Sequence, residues 1–295
     1  MMSWWKKQLG ILFFCLCSTP LYAQSLLFAP EQLKNALTNN SVTILDARSP
    51  DQYQQGHIPG SRNFPVDWTY QHKRLNGKII SPNQVQIILR RLGLDREMPI
   101  VIYDEGALVD AARLFWTLEV YGFTHVQVLN QGYDYWAAQN YPINEEVPKV
   151  RPSDYVPVIN HKRLATKFST QIATQNPNQV VIDARPEPAY MGLKSHAKRF
   201  GHIPKAINIP ASHNIDSNNH FAKISSVTQL KNVYAHIPKD KKVVLYCAIG
   251  RISATNYLAL RELGYDVANY DASWLEWGND FSLPIVNPSQ SEAKK

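Results

Sequence analysis

One cysteine of this sequence is placed where a catalytic nucleophile would be expected. Cys247 follows the apolar run 243–246 and precedes a short loop with Gly250 and Arg251, after which a helical pattern covers residues 253–263. The reactive form of cysteine is the thiolate, and a free thiol is mostly protonated at neutral pH. A nucleophilic role for Cys247 therefore requires neighbouring groups that stabilise a negative charge.

The residues after Cys247 offer such groups. Gly250 allows a tight loop in which successive backbone N–H groups point inward as an anion-binding nest. The helix predicted to begin near Ser253 adds the positive end of its dipole, and Arg251 adds a full charge if it faces inward. The alternative is a small buried apolar residue at a strand end, which is common for free cysteine. We predict a catalytic Cys247 with an active-site loop of Ala248, Ile249, Gly250, Arg251, Ile252 and Ser253.

The first residues are typical of a secretory signal peptide. Two lysines precede an apolar stretch over 9–16, and Ala23 offers a small residue at a cleavage point. This stretch is too short for a comfortable membrane span. We predict a signal peptide over 1–23 and an exported protein, periplasmic in a Gram-negative bacterium; an uncleaved anchor is the alternative. Cleavage would also remove Cys15 and Cys17, leaving one thiol without a disulfide partner in its own chain.

Composition and charge describe an ordinary soluble globular protein. The 295 residues carry a formal net charge of +7 at pH 7, and most of the basic residues are scattered. Such a mild excess is more typical of solvated charge than of a nucleic-acid surface. A single cysteine and scattered histidines give no metal-ligand spacing, so we predict no metal and no cofactor. We also expect no stable membrane insertion once the signal is cleaved.

The chain repeats itself once. Asp46-Ala47-Arg48 and Gly56-His57-Ile58-Pro59 in the first half correspond to Asp183-Ala184-Arg185 and Gly201-His202-Ile203-Pro204 in the second. The separation between the copies is far longer than the unit of a solenoid, so the sequence indicates a duplicated domain.

Each half alternates strands with helices. Runs such as 180–182 and 243–245 are continuously apolar, as in strands buried on both faces of a parallel sheet. Helical patterns cover 81–92, 107–121 and 253–263. We predict an α/β fold of two tandem domains, each a mainly parallel central sheet flanked by helices on both faces. The predicted parts are a first domain over 24–146, a linker over 147–156, a second domain over 157–287 and a polar tail over 288–295.

Corresponding strands of the two halves are followed by different residue types. Cys247 follows its strand in the second half, and Asp104 stands at the same place in the first. Ligands of α/β folds bind beyond the carboxyl ends of the strands, so this position favours a functional role for Cys247.

Two other classes of cysteine enzyme fit less well. A cysteine-dependent phosphatase needs an arginine six positions after its nucleophile, where this chain has Ser253. A papain-like protease needs a histidine partner. His57 and His202 are the candidates, but each belongs to a repeated segment whose first copy has no cysteine to serve. We therefore predict a structural role for both histidines.

The ordered set of motifs resembles the tandem-domain rhodanese-type sulfurtransferases, which include thiosulfate and 3-mercaptopyruvate sulfurtransferases. The resemblance runs from about residue 33 to 286 and rests on the repeated motifs, on Cys247 with its loop, and on segment 270–278. It implies transfer of a sulfane sulfur from a small anionic donor, through a persulfide on Cys247, to cyanide, a thiol or a reduced thioredoxin-like protein. It also implies a catalytically silent first domain, because the Asp104 carboxylate cannot carry sulfur.

The sequence departs from this family at the positions that define the donor. Two positions after the cysteine, thiosulfate-using members have a basic residue and mercaptopyruvate-using members a serine, whereas this chain has Ile249. Six positions after Asp183, family members commonly have an arginine that binds the anionic donor, whereas this chain has Ala189. Because Arg251 keeps a positive charge at the loop, thiosulfate is slightly favoured. The supporting residues that we predict are Asp183, Arg185, Lys194, Lys198 and Arg199.

A hypothesis from another functional class remains beside the enzyme. The chain could be a rhodanese-fold binding or redox-partner module that does not turn over small donors, since a fold does not by itself determine an activity.

Overall fold

The computed structural model describes residues 25–39, 41–217 and 220–292. The predicted signal peptide, with Cys15 and Cys17, lies outside these residues. Within them, no helix has the length and apolar character needed to cross a bilayer.

The first half folds into a five-stranded sheet with helices on both sides. Its strands are β1 Leu27–Phe28, β2 Thr43–Asp46, β3 Arg62–Asn63, β4 Ile100–Tyr103 and β5 Val126–Leu129. Its helices are α1 Pro30–Ala36, α2 Pro50–Gln54, α3 Pro82–Arg91, α4 Val109–Val120 and α5 Gly132–Ala138, with a 3₁₀ turn over Val66–Thr69. The strand order is β1-β5-β4-β2-β3, and all pairs are parallel.

The second half repeats this plan. The strands of its main sheet are β6 Leu164–Ala165, β7 Gln179–Asp183, β8 Ile207–Asn208, β11 Lys242–Tyr246 and β12 Val267–Tyr270, in the parallel order β6-β12-β11-β7-β8. A separate antiparallel pair consists of β9 Ile215–Asp216 and β10 Lys223–Ile224. The helices are α6 Lys167–Ala173, α7 Glu187–Tyr190, α8 Val227–Val233, α9 Ser253–Glu262, α10 Ser273–Trp277 and α11 Pro288–Glu292, with a 3₁₀ turn over Ala211–Asn214.

The two sheets confirm the predicted α/β fold of two tandem domains. Strands β4 and β11 lie at the centres of their sheets, and their apolar side chains are buried, as the continuous apolar runs required. The helices predicted over 81–92, 107–121 and 253–263 are α3, α4 and α9.

Serine caps begin corresponding helices of the two halves. Ser81 accepts the backbone N–H of Gln84 at the start of α3, and Ser226 accepts that of Gln229 at the start of α8. The side-chain Oε1 of each glutamine in turn accepts the backbone N–H of its serine, at 3.3 Å and 2.9 Å respectively. This reciprocal capping satisfies N–H groups that would otherwise have no partner, so it fixes where each helix begins.

One apolar core is shared between the domains. It combines the inner faces of both sheets with α4 and α9. Phe115 of α4 lies against Tyr257 of α9, with ring centroids 6.2 Å apart. The carboxylate of Glu119 accepts hydrogen bonds from Tyr257 at 2.5 Å and from Arg261 at 2.8 Å. These buried contacts join the helices that follow the two strand-end loops, so the loops face each other across the domain boundary.

The segment predicted as a linker is an extended coil packed on the first domain. Tyr155 is 3% exposed, and its hydroxyl donates to the carbonyl of Tyr121 at 2.7 Å. The hydroxyl of Ser153 donates to the carbonyl of Leu94 at 2.8 Å. These bonds make the segment part of the first domain's surface, although its sequence has little apolar periodicity.

A hairpin of the first domain reaches into the second. Residues 70–79 turn back on themselves through an antiparallel bridge. The backbone N–H of Ile79 donates to Oδ2 of Asp271 at 2.7 Å. A Cβ atom on Gly77 would lie 3.1 Å from the Cα of Ile249, so the hairpin lies directly against the Cys247 loop.

Candidate active site

Cys247 lies directly after β11, with its side chain inside the protein. The residue is 1% exposed. Its backbone N–H donates to Ser273 Oγ at 3.1 Å, and its carbonyl accepts the N–H of Trp274 at 3.0 Å. Both bonds fix the backbone of Cys247. They do not involve its Sγ, whose surroundings come from the loop that follows.

Ser253, the first residue of α9, contacts the thiol. Its Oγ lies 3.4 Å from Sγ of Cys247 and 2.7 Å from Oδ1 of Asn269. The Asn269 amide in turn donates to the carbonyl of Gly250 at 3.1 Å. Because a hydroxyl has one proton, Ser253 donates to Asn269 while it accepts from a thiol S–H. Rotation of the same hydroxyl toward Sγ would give a thiolate its donor.

Gly250 meets two requirements of the loop that only glycine satisfies. Its φ is +70°, a conformation that costs other residues free energy. A Cβ atom here would collide with the backbone carbonyl oxygen of Asp271. Both features confirm the tight turn that the sequence predicts after Cys247.

The corresponding loop of the first domain shows what this backbone binds. One carboxylate oxygen of Asp104 accepts the N–H groups of Gly106 and Leu108 at 3.0 and 3.1 Å, and the other accepts those of Asp110 and Ala111 at 3.0 and 3.1 Å. Burial raises the pKa of Asp104 above its ordinary value, and these backbone bonds act in the opposite direction. The loop is therefore an anion nest, filled here by the chain's own carboxylate.

The active-site loop has the corresponding backbone N–H groups, but fewer of them have a hydrogen-bond acceptor. The N–H groups that correspond to those around Asp104 belong to Ile249, Arg251, Ser253 and Ala254. That of Ala254 donates to the carbonyl of Arg251 at 3.1 Å. The other three have no hydrogen-bond acceptor within the part of the chain that the structure describes. Their positions make them donors for a negative charge carried by Cys247 or by its substrate.

The side chain of Arg251 points toward the first domain. Its guanidinium donates to Oδ1 of Asp110 at 2.6 Å, and this hydrogen bond raises the pKa of Arg251. The side chain lines a cavity of about 470 Å³ whose other walls, including Trp68, Arg74 and Glu105, come from the first domain. Asp110 thus offsets much of the charge that the sequence assigned to the active-site loop.

Asp183 and Arg185 form a buried ion pair at the end of β7. Arg185 Nη2 donates to Asp183 Oδ2 at 2.6 Å and to the carbonyl of Gly201 at 2.8 Å. Asp46 and Arg48 make the same pair in the first domain, at 2.7 Å. Because the first domain, which has no cysteine at the corresponding strand end, also has it, this pair holds the strand end and the following loop rather than serving the thiol alone.

The basic cluster between α7 and β8 is not brought to the active-site loop by the contacts of the described residues. Arg199 donates to the backbone carbonyls of Trp277, Gly278 and Leu283 at 2.7–3.1 Å. The side chains of Lys194 and Lys198 are exposed. These contacts give Arg199 a structural role at the end of the second domain and do not direct its charge at Cys247.

The repeated histidines have matching structural surroundings. His57 stacks on Tyr53 and His202 stacks on Tyr190, each with ring centroids 3.8 Å apart. Each Nδ1 lies 2.8 Å from the carbonyl oxygen of the tyrosine on which it stacks. Burial lowers the pKa of His202, which favours its neutral form. The same stacking and the same Nδ1 contact in both domains support the structural role predicted for these residues.

The residues that sequence reasoning missed come from the first domain. Arg113 of α4 donates through Nη1 to the carbonyl of Gly250 at 2.9 Å, and its guanidinium lies over the ring of Tyr70, 4.3 Å from the centroid. An arginine within the otherwise apolar part of the predicted helix 107–121 was the available signal. Nothing in the local sequence, however, places that helix beside Cys247.

No group of three or more His, Cys, Asp or Glu side chains among the described residues is arranged to hold a metal ion. The chemistry derived for the site thus rests on the thiol, the backbone N–H groups and the arginines.

Comparison with known proteins agrees with this architecture. The family model described as "Rhodanese-like domain" matches residues 29–139 and 165–280. A putative thiosulfate sulfurtransferase SseA of Mycobacterium bovis is 32% identical over 248 residues, which cover 79% of this chain and 81% of that protein. The 3-mercaptopyruvate sulfurtransferase of Escherichia coli K12 is 26% identical over 272 residues, covering 86% and 95% of the two chains.

A solved structure supports the fold independently. The crystal structure of SseA from Escherichia coli superposes with a TM-score of 0.75 at 24% sequence identity, covering 85% of this chain and 99% of that one. The two matched domains, their parallel sheets and the relatives together show that the chain belongs to the tandem-domain rhodanese-type sulfurtransferase family.

Proposed function

We propose that this sulfurtransferase is exported and moves a sulfane sulfur from a small anionic donor to a thiophilic acceptor through a persulfide on Cys247. The observation that carries the proposal is the pair of matching loops. In one, four backbone N–H groups bind the Asp104 carboxylate; in the other, the same backbone surrounds a buried thiol. A loop that binds an anion suits a thiolate before transfer and a persulfide anion after it.

The proposed reaction has two balanced steps. The Cys247 thiolate attacks the outer sulfur of thiosulfate; a sulfur–sulfur bond to Cys247 forms, the one inside the donor breaks, and sulfite leaves with the bonding electron pair. In the second step cyanide or a thiolate attacks the terminal persulfide sulfur, and the Cys247 thiolate is regenerated as the leaving group. Negative charge remains at the loop throughout, so the N–H groups and Ser253 act in both steps.

Thiosulfate is proposed as the preferred donor over 3-mercaptopyruvate. Ile249 gives no side-chain contact that marks either donor, and Asp110 pairs with Arg251 at 2.6 Å. Support for thiosulfate comes instead from the buried Arg113, which bonds to the active-site loop from the first domain. Acceptors of the proposed reaction are cyanide, a small thiol or a reduced thioredoxin-like protein.

Export rests on the sequence of residues 1–23 alone. Expression of the whole chain in a Gram-negative host, followed by fractionation and N-terminal sequencing, tests it. A mature protein beginning at Gln24 in the periplasm is expected; an intact N-terminus in the cytoplasm would contradict export.

Intact mass measurement tests the persulfide. Incubation of the mature protein with thiosulfate should add one sulfur atom, cyanide should remove it as thiocyanate, and the Cys247→Ser variant should show neither change while melting like the wild type. A parallel incubation with 3-mercaptopyruvate ranks the donors. No added sulfur from either donor, together with no thiocyanate, would defeat the enzymatic proposal.

The 1% exposure of Cys247 favours a second candidate, a binding or redox-partner module. A thiol so enclosed reacts with small donors only if the covering hairpin moves. Absence of sulfur loading under all donor conditions, with a correctly folded protein, is the result that would support this candidate.

A further inference from the structure

The active site contains a buried positive charge without a carboxylate partner. Three arginines of the described residues are buried: Arg48, Arg113 and Arg185. Arg48 and Arg185 form ion pairs with Asp46 and Asp183. Arg113, which is 0% exposed, has no carboxylate within ion-pair distance in the described part of the chain. A buried charge is costly unless it is paired, so Arg113 is adapted to an anion that comes from elsewhere.

The surroundings of Arg113 hold its guanidinium in one orientation. Its Nε donates to Thr69 Oγ1 at 3.3 Å, and its Nη1 donates to the carbonyl of Gly250 at 2.9 Å. The rings of Tyr70 and Trp116 lie 4.3 and 4.4 Å from the guanidinium carbon. Burial lowers the pKa of Arg113, and the nearby Tyr70, Asp271 and Cys247 act in the opposite direction. The charge is therefore fixed beside the active-site loop.

Two hydrogen-bond donors of this cluster remain unused. Nη2 of Arg113 and the hydroxyl of Tyr70 are both buried, and neither has a partner among the described residues. Such groups usually find partners in native proteins, because a buried donor without an acceptor loses its hydrogen bonds to water and gains none in return. Asp271 acts on the charge of Arg113 but, within the described residues, makes no hydrogen bond or ion pair to either donor; its carboxylate accepts the N–H groups of Ile79 and Ala272 at 2.7 and 2.8 Å.

The second domain offers no equivalent cation. Asn256 stands at the position of α9 that corresponds to Arg113 in α4. Its amide donates to the carbonyl of Ile209 at 3.0 Å and to the hydroxyl of Tyr234 at 3.1 Å. The second domain thus supplies the thiol, and the first domain supplies the charged group that bonds to the loop after it.

We propose that Nη2 of Arg113 and the hydroxyl of Tyr70 form the oxoanion-binding part of the active site, contributed by the silent first domain. They donate to the oxygen atoms of a small thiosulfonate donor while its outer sulfur meets Cys247. This assignment rests on the proposed sulfur transfer for its substrate, but the anion site itself follows from the buried, unpaired donors.

The chemistry of the first step explains why a cation is useful there. The thiolate and a dianionic donor repel each other, and the leaving sulfite takes two negative charges with it. A guanidinium that donates to the sulfonate oxygens reduces this repulsion and stabilises the leaving group as the sulfur–sulfur bond breaks. Arg113 and Tyr70 therefore act on the donor step; a thiol acceptor such as dithiothreitol has no oxoanion group for them to bind.

Alkylation of Cys247 tests the anion site without requiring sulfurtransferase activity. Iodoacetate is anionic and iodoacetamide is neutral, so the ratio of their second-order rate constants measures attraction of an anion to the thiol. We expect Tyr70→Phe to lower this ratio about threefold and Arg113→Gln to lower it about tenfold. Lys73→Gln is the matched control, because it removes an exposed charge from the same hairpin; its ratio should change less than twofold.

If Arg113→Gln does not fold, the alkylation ratio of Tyr70→Phe still tests the anion site. It removes only an unpartnered hydroxyl and keeps the ring that covers the guanidinium, so its melting temperature should equal or exceed that of the wild type. Arg113→Lys, which retains the charge, should recover part of the ratio lost in Arg113→Gln.

Steady-state kinetics separates the failure of this inference from the failure of the proposed function. Tyr70→Phe should raise KM for thiosulfate about fivefold and leave discharge of the preformed persulfide by dithiothreitol within twofold of the wild type. The anion site would be overturned, even if sulfur transfer is active, by wild-type alkylation ratios in folded Tyr70→Phe and Arg113→Gln. If Arg113→Gln does not fold, a wild-type ratio in folded Tyr70→Phe alone would overturn it. Lowered ratios in a protein that accepts no sulfur would support the anion site and overturn the proposed function.

Discussion

The loops after β4 and β11 follow the same path and differ in what fills them. In the first, the Asp104 carboxylate takes four backbone N–H groups. In the second, Cys247 leaves three of the corresponding groups without an acceptor in the described residues. All four N–H groups of the first loop thus have an acceptor, whereas, in the described part of the chain, most of those in the second do not. The difference indicates that anion binding is a property of the loop backbone, and that the residue at the strand end decides whether it is available to a substrate.

A second difference lies in the helices that follow these loops. Arg113 of α4 crosses the domain boundary to the carbonyl of Gly250, whereas its counterpart Asn256 bonds within its own domain. The domain without the nucleophile has the cation. The two halves have therefore become complementary parts of one site instead of two copies of it.

Cys247→Asp should have the largest effect, because it converts the second loop into the first. The new carboxylate would accept the free N–H groups as Asp104 does, so we expect complete loss of sulfur loading with no loss of thermal stability. Intact mass after thiosulfate treatment and a melting curve check both parts. Residual loading would show that another group carries the sulfur.

Asp104→Ala should weaken folding, because it removes the acceptor from four backbone N–H groups, two of them in buried hydrogen bonds. We expect the free energy of unfolding to fall by about 2–4 kcal/mol, measured by urea denaturation. Glu105→Ala is the matched control on the neighbouring, partly exposed residue and should cost less than about 1 kcal/mol. Equal losses in both variants would contradict the view of the first loop as a filled nest.

Ser253→Ala should slow the chemistry at an intact loop. Without the hydroxyl 3.4 Å from Sγ, the thiolate loses a donor, and we expect kcat/KM for thiosulfate to fall by about tenfold. The rate of alkylation by iodoacetamide at neutral pH should fall in parallel. Thr255→Ala, which removes a buried and unpartnered hydroxyl from the same helix, serves as the control and should keep nearly full activity.

Arg251→Ala should have the smallest effect, because Asp110 already offsets its charge. We expect KM for thiosulfate to rise less than threefold. Asp110→Asn should have the opposite effect and lower KM, since it leaves the Arg251 charge unopposed. A large loss in Arg251→Ala would mean that the guanidinium turns toward the donor during the reaction.

Much of the fold could be predicted from the sequence, because the evidence for it is local or repeated. The buried strands, α3, α4 and α9 follow from apolar periodicity, and the turn after Cys247 follows from Gly250. The loop residues after Cys247 were predicted for the same reason. Their backbone conformation is set by neighbours in the chain.

Charges that act across the domain boundary could not be predicted in this way. The sequence leaves open whether Arg251 faces the active site, and in the structure it pairs with Asp110; nothing near Arg113 in the sequence indicates that it bonds to Gly250. Arg199 was expected to support the site but donates to carbonyls at the end of its own domain. In each case the partner is distant in sequence and is determined by how elements pack, which periodicity does not encode.

The core shared by α4 and α9 has a consequence for how a duplicated protein evolves. The first domain, which has Asp104 in place of the cysteine, covers the apolar inner face of the second. Deleting the first domain would expose that face to water and remove the cation that bonds to the active-site loop, so shortening the chain would cost solubility and that cation together. A duplicate without the nucleophile is thereby retained by the face that it covers.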